Sequence, residues 1–216
     1  MSFNKEAYLQ PSELCDFDRS PQIRRKAAEL VSGARNRREK FQLIYGFIKE
    51  LPYGLEDWDL KASQILRKGW GMCSGKTNLL VAMLRSVGIP ARYRIYQIKA
   101  DNLIWKQAGG DSAHTERMNE MGQLRDHVDC EVWLDKWMVY DPGRDSAMEK
   151  GLLKLGGALE RQKVTGRDGK VRYLRLAVFD QWVKQRQARR QFRADRETVF
   201  TVVNQGFEKL RELGRS

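Results

Sequence analysis

The stretch Gly69–Tyr93, GWGMCSGKTNLLVAMLRSVGIPARY, supports two readings that exclude one another. Gly75-Lys76-Thr77 resembles the end of a phosphate-binding loop, whereas Cys73 at the start of a helix is a setting for a nucleophile. A Walker-type loop requires glycine, four residues and then Gly-Lys-Ser/Thr, so that backbone N–H groups wrap a phosphate. Here the position that must be glycine is Trp70, and Gly69 and Gly71 flank it one place out of register. Such a loop also follows a buried strand, and KASQILRK (Lys61–Lys68) is mixed polar and suits a helix better. WMVYD (Trp137–Asp141) imitates the metal-binding strand of those ATPases without repairing the spacing. The nucleotide reading is therefore set aside.

A helix is predicted over Met72–Val87, with Leu80, Leu84 and Val87 on one face and Gly88 closing it. Cys73 lies two turns before Leu80, so its side chain falls near the buried face while its backbone sits in the first turn. Unpaired N–H groups and the positive end of the helix dipole stabilise a thiolate there, and the same groups suit an oxyanion. Gly71 and Gly75 are expected to clear side-chain bulk from around the sulfur. By this context alone, a small core cysteine is an equal alternative.

The later strands decide between these. A cysteine nucleophile needs a base and a group that orients the base, and HVDCEVWLDKWMVYDPG (His127–Gly143) supplies His127 and Asp141 on two predicted strands around a turn near Asp135. The chain has two histidines, and His114 sits in a polar segment as an ordinary exposed residue. His127 shares a strand face with Asp129 and Glu131, whereas Val128, Cys130 and Val132 take the apolar face, which makes Cys130 a core residue. A two-residue turn would send His127 and Asp141 to opposite faces of the sheet, so the triad predicts an odd-numbered turn or a bulge. Zinc held by Cys73, His127 and Cys130 is the other chemical option, but His-x-x-Cys lacks the second pair such sites use. For a second oxyanion donor beside the Cys73 backbone the candidates are Trp70 and Tyr53, with core packing as their plainer role.

Outward from this core, Ser20-Pro21 is expected to start a helix, the serine capping it, that runs to Gly33. A second helix covers about Arg35–Glu50 with Phe41, Ile44, Tyr45 and Ile48 at helical spacing, stopped by Pro52. IPARYRIYQIK reads as a strand, residues 100–123 as a long loop and plausible lid, TGRDGKVRYLRL as a hairpin, and the chain from Ala177 onward as helix. The order of helices, central helix, strands and helices makes the protein α+β. A single domain over 1–216 is expected, with N-terminal helices in 1–59, a catalytic core in 60–176 and a C-terminal helical extension in 177–216.

Three cysteines without paired spacing, and no apolar run long enough for a signal or a span, point to a cytoplasmic protein that neither crosses nor joins a membrane. Lys and Arg total 40 against 28 Asp and Glu, a net charge of +12 concentrated in RNRREK and KQRQARRQFRADR. Both stretches interleave apolar residues as solvated helix faces do, and nucleic acid is the lesser reading of their charge.

Taken together, GMCSGKTNLLVAMLRSVGIPARY, HVDCEVWL and KWMVYDP resemble the core of the transglutaminase-like superfamily, over about Leu60–Gly143. The resemblance implies a papain-like fold, a central helix carrying the cysteine packed on an antiparallel sheet. It implies Cys73 as nucleophile, His127 as general base and acid, Asp141 as its orienting group, no metal and no cofactor. The family commonly has an aromatic residue where this chain has Asp129, and often Ser or Thr where it has Gly143. The implied function is acyl transfer through a thioester from amide bonds of protein or peptide substrates, resolved by a primary amine or by water. Transglutaminase, protease, deamidase and peptide N-glycanase-like amidase share this triad. The alternative is a catalytically silent module of the same fold whose basic helices hold an anionic partner.

Overall fold

The computed structural model describes residues 5–99, 124–188 and 196–216, the side chains of residues 196, 198 and 199 excepted. The predicted lid, His114 and part of the C-terminal basic stretch lie outside the described residues.

Helix α1 (Pro21–Leu30) begins at its proline, but Ser20 does not cap it: the hydroxyl turns to the Gln22 side chain at 3.2 Å. The preset φ of proline therefore starts this helix, which ends at Leu30, short of Gly33. Helix α2 (Arg37–Glu50) is closed by Asn36, which accepts the Glu39 N–H at 2.9 Å while the Glu39 carboxylate accepts the Arg35 N–H at 2.8 Å. Helix α3 (Ala62–Lys68) stops at Gly69, whose φ of 75° suits a residue without Cβ.

Helix α4 (Cys73–Ser86) is the centre of the fold, buried along its length from Cys73 to Arg85. One apolar face was expected; instead the whole circumference is covered, by α1, α2 and α3 on some sides and by the sheet on another. Except for Ser74, whose buried hydroxyl has no partner among the described residues, its polar side chains tolerate this because they bind carbonyls of the surrounding chain. Thr77 donates to Val128 O at 3.2 Å, Asn78 to Leu14 O at 2.8 Å, and the Arg85 guanidinium to Ala91 O, Gln10 O and Ala177 O.

The sheet is antiparallel, ordered β3-β2-β1-β4, from β1 (Ala91–Lys99), β2 (Leu124–Trp133), β3 (Trp137–Tyr140) and β4 (Leu174–Leu176). Val128, Cys130 and Val132 join Ala91, Tyr93 and Ile95 in the core with α4. On the opposite face Glu131 accepts Arg92 at 2.6 Å and Asp129 accepts Arg94 at 2.7 Å, each directly across the β1–β2 pair. The predicted hairpin around Gly169 narrows to one bridge, Thr165 with Val171, because β4 pairs with β1 instead.

Helix α5 (Ser146–Lys154), α6 (Asp180–Ala188) and α7 (Arg196–Arg215) follow. A second apolar cluster joins Met148 and Leu152 of α5 to Val203, Phe207 and Leu210 of α7. Glycine makes that crossing close: a Cβ on Gly151 would lie 1.8 Å from Leu210 O, and one on Gly214 would lie 1.9 Å from Ala147 O. Among the described residues no helix is long and apolar enough to cross a membrane.

Candidate active site

The first turn of α4 is held by a carboxylate. Met72, the residue before the helix, has no capping side chain; its N–H goes to Glu56 Oε1 at 2.8 Å, and the other Glu56 oxygen receives Lys68 Nζ. Glu56 is buried, and Gly71 and Gly75 leave it room: a Cβ on Gly75 would stand 2.4 Å from Glu56 Oε1 and 2.6 Å from Ile65 Cδ1. Clearing the sulfur for a substrate is thus not what these glycines do. They admit the carboxylate and the Ile65 side chain that fix the turn bearing Cys73.

Strand β3 ends at Tyr140, and α4 meets β2 beside its end. Thr77 bonds the Val128 carbonyl, and the Cys73 sulfur lies beside the Val128 backbone and the His127 ring, both of which favour its thiolate. The turn joining β2 to β3 is Leu134-Asp135-Lys136, an odd number, with Trp133 paired to Trp137 and Cys130 to Tyr140. That register sets the residue at 141 on the His127 side of the sheet. His127 Nε2 lies 2.9 Å from Asp141 Oδ2, which leaves Nδ1 as the ring nitrogen for Cys73. Tyr96 contacts the imidazole edge-on, its ring centre 5.3 Å away.

Asp141 is held from several directions. Its Oδ2 also accepts Arg161 Nε at 2.8 Å, its Oδ1 the Gly143 N–H at 2.8 Å, and its carbonyl the Tyr45 hydroxyl at 3.0 Å. Burial raises the Asp141 carboxyl, but the charges of Arg161 and His127 outweigh it and keep the group well below the usual range. For His127, burial and the Arg161 charge act downward, while Asp141 and Cys73 lift the imidazole to about 9. Burial raises the Cys73 thiol, yet the charge and hydrogen bond of His127 bring it below its ordinary value. Each group thus favours the charged form of the other.

Lys76, the lysine of the apparent phosphate loop, is fully buried one turn along α4. Its ammonium donates to Leu51 O at 2.6 Å, Gly143 O at 2.9 Å and Lys49 O at 3.1 Å, and burial lowers it to about 7. It caps the C-terminal end of α2 and ties that end to the loop after Asp141, which removes the nucleotide reading on structural grounds.

Residues 24–142 match the family model of the transglutaminase-like superfamily, more than half of the chain. The chain belongs to that superfamily. Among solved structures it is similar to a "putative cysteine protease" from Cytophaga hutchinsonii, with 20% identity and a TM-score of 0.50 over 81% of this chain and 54% of that one. A "putative protease" from Parabacteroides distasonis ATCC 8503 matches at 16% identity and a TM-score of 0.39, over 63% of this chain and 26% of that one. This chain thus spans about half the length of the first and about a quarter of the second. No curated protein matches.

As a transglutaminase-like fold, the chain brings Cys73, His127 and Asp141 together on α4, β2 and the end of β3. Cys130 is buried in the core. The Trp70 ring lies under Lys68 Nζ at 3.6 Å and against Gly54, where a Cβ would come within 2.8 Å of it. The Tyr53 ring packs on Phe207 at 5.3 Å, and burial together with the nearby Cys73 charge raises its hydroxyl. Among the described residues no cluster of three His, Cys, Asp or Glu side chains is placed to hold a metal. Sequence reasoning missed Glu56, Lys76 and Arg161. Only the last had a signal: where relatives often carry Ser or Thr, Gly143 leaves space, and a Cβ there would meet Arg161 Nη2 at 2.7 Å.

Proposed function

We propose that this protein is a cysteine-dependent enzyme of amide bonds in protein or peptide substrates, an acyltransferase or amidohydrolase working through a thioester. The observation that carries this reading is the row of side chains from buried Cys73 through buried His127 to Asp141. The Cys73 thiolate attacks the amide carbonyl, forming a C–S bond and a tetrahedral oxyanion beside the first turn of α4. His127 gives its proton to the departing nitrogen as the C–N bond breaks, and the acyl group remains on sulfur. Water or a primary amine then attacks the thioester, His127 takes its proton, and the C–S bond breaks to release the Cys73 thiolate, restoring the starting pair. Asp141 keeps the imidazole oriented and supports its charge in both halves. Transglutaminase, protease, deamidase and amidase chemistry differ here only in the second nucleophile.

The test is the pH dependence of Cys73 alkylation by iodoacetamide in wild type and His127→Ala, with adducts located by mass spectrometry. Wild type should label at neutral pH with a profile shifted below that of a free thiol, and the variant should label about ten- to thirtyfold more slowly at pH 7, as an ordinary cysteine does. Slow labelling unaffected by the substitution would remove the enzyme and leave the silent binding module.

A further inference from the structure

We propose that Arg161 forms a recognition subsite beside Cys73 for a carboxylate carried by the substrate next to the amide that is attacked. This names a substrate class for the site just described and rests on that reading. Arg161 stands in the segment between α5 and β4, with its side chain 12% exposed. Among the described residues its one hydrogen-bond partner is Asp141, reached through Nε at 2.8 Å. The forked Nη1 and Nη2 end, which suits a planar anion bidentately, is left over.

Among the described residues Arg92 and Arg186 also bond a carboxylate through Nε alone, but their guanidinium groups lie over the Trp137 and Trp58 rings at 4.1 and 4.2 Å, and two others spend more of their nitrogens. Arg94 places both Nε and Nη2 on Asp129, at 2.7 and 2.5 Å. Arg211 divides its three nitrogens among Asp145, Glu208 and the Tyr53 carbonyl. Arg161 also faces the reacting groups. The point where a Gly143 Cβ would stand lies 2.7 Å from Arg161 Nη2 and 3.7 Å from His127 Cε1, so the amino group is on the imidazole's side of the loop. A serine or threonine at 143 would occupy that space; glycine opens it. The Arg161 charge also favours the Cys73 thiolate, which agrees with this placement.

The probe pair is iodoacetate and iodoacetamide, alike in shape and differing in charge. With either, the thiolate forms an S–C bond as the C–I bond breaks and iodide departs. Both reagents compete for Cys73 at pH 7 in wild type, Arg161→Gln and Arg161→Lys, and mass spectrometry reads the adduct ratio. The ratio cancels changes in thiolate fraction or in folded fraction, so a loss of reactivity does not imitate a loss of recognition. Wild type should favour iodoacetate, Arg161→Gln should lower the ratio about tenfold, and Arg161→Lys should keep part of the preference.

An unchanged ratio, with both rates falling alike, would make Arg161 only a support for Asp141 and overturn the proposal. Slow wild-type labelling by both reagents would instead remove the cysteine-enzyme reading, and the ratio would still report on Arg161. Protection against iodoacetamide separates the sources of carboxylate. N-acetyl-L-glutamine presents a main-chain carboxylate, and N-acetyl-L-glutamic acid α-amide a side-chain one. Protection by one of them in wild type and not in Arg161→Gln identifies the class, whereas protection by neither, or equally in both proteins, rejects it.

Discussion

Asp141 and Asp145 stand at two ends of one short loop, and each accepts an arginine Nε, yet they serve different purposes. The hydrogen-bond partners of Asp145 do not titrate near neutrality: it caps α5 through the Met148 N–H at 3.0 Å, accepts the Tyr53 N–H at 2.9 Å and binds Arg211 at 2.9 Å. Arg211 is itself fully engaged, and Asn204 pairs with both the N–H and the carbonyl of Leu55. Around Asp145, then, α7 is strapped across residues 53–55, the approach to the Cys73 turn. Asp141 shares one oxygen between Arg161 and the titratable His127 imidazole. The same ion pair spends every donor at Asp145 and, at Asp141, has a partner that titrates and a fork left open.

That contrast can be broken most strongly at Asp145. Asp145→Ala leaves Arg211 buried without its carboxylate and should cost about 3–5 kcal/mol in urea unfolding, while Cys73 labelling in the folded fraction stays close to wild type. Asp141→Asn should do the reverse, slowing labelling at pH 7 about tenfold as His127 loses the charge that raises it. If both variants changed reactivity alike, the division between the two aspartates would be wrong.

Lys76 ties the two regions together through the Gly143 carbonyl, and it supplies the next effect in size. Lys76→Met strands three carbonyls and should lower stability by about 2–4 kcal/mol, measured in the same way.

The smallest effect is the most specific. Near pH 7.5 the folded protein holds a proton on His127 that the unfolded chain would release, and the lowered Cys73 thiol acts in the opposite sense. These changes oppose one another, so the pH dependence of wild-type stability should be shallow in this range. Cys73→Ser removes one side of the balance. His127 then loses the Cys73 charge and keeps the Asp141 charge and hydrogen bond, and the stability these give is full below its unfolded value of 6.5 and is lost as pH rises through the folded one. Unfolding free energies of the serine variant should fall by up to about 1.4 kcal/mol per pH unit there, against a shallower slope in wild type. Parallel profiles would mean that Cys73 is not a thiolate at neutral pH.

The helices and strands were legible in the sequence wherever one local cause acts alone. Pro21 starts α1, Gly69 ends α3, and the alternation of Val128, Cys130 and Val132 gives the inner face of β2. The Ser20 hydroxyl turns to its near neighbour Gln22 and leaves the helix uncapped, whereas the role of Gly71 and Gly75 depends on Glu56, a side chain distant in sequence. For the candidate site, the sequence indicated Cys73, His127 and Asp141 and stated the turn parity they require, since helix start and strand alternation are short-range properties.

By itself, then, the sequence determined the α+β order, the central helix with cysteine in its first turn, and the superfamily. What only the tertiary structure decided is how the charges are shared. Glu56 reaches the Cys73 turn from before α3, Lys76 binds three carbonyls of two other segments, and Arg161 enters from beyond α5 through the space at Gly143. None of these has a periodic or spacing signal. Charged side chains find partners by proximity in the folded chain, and burial, which only packing creates, sets the strength of each pairing.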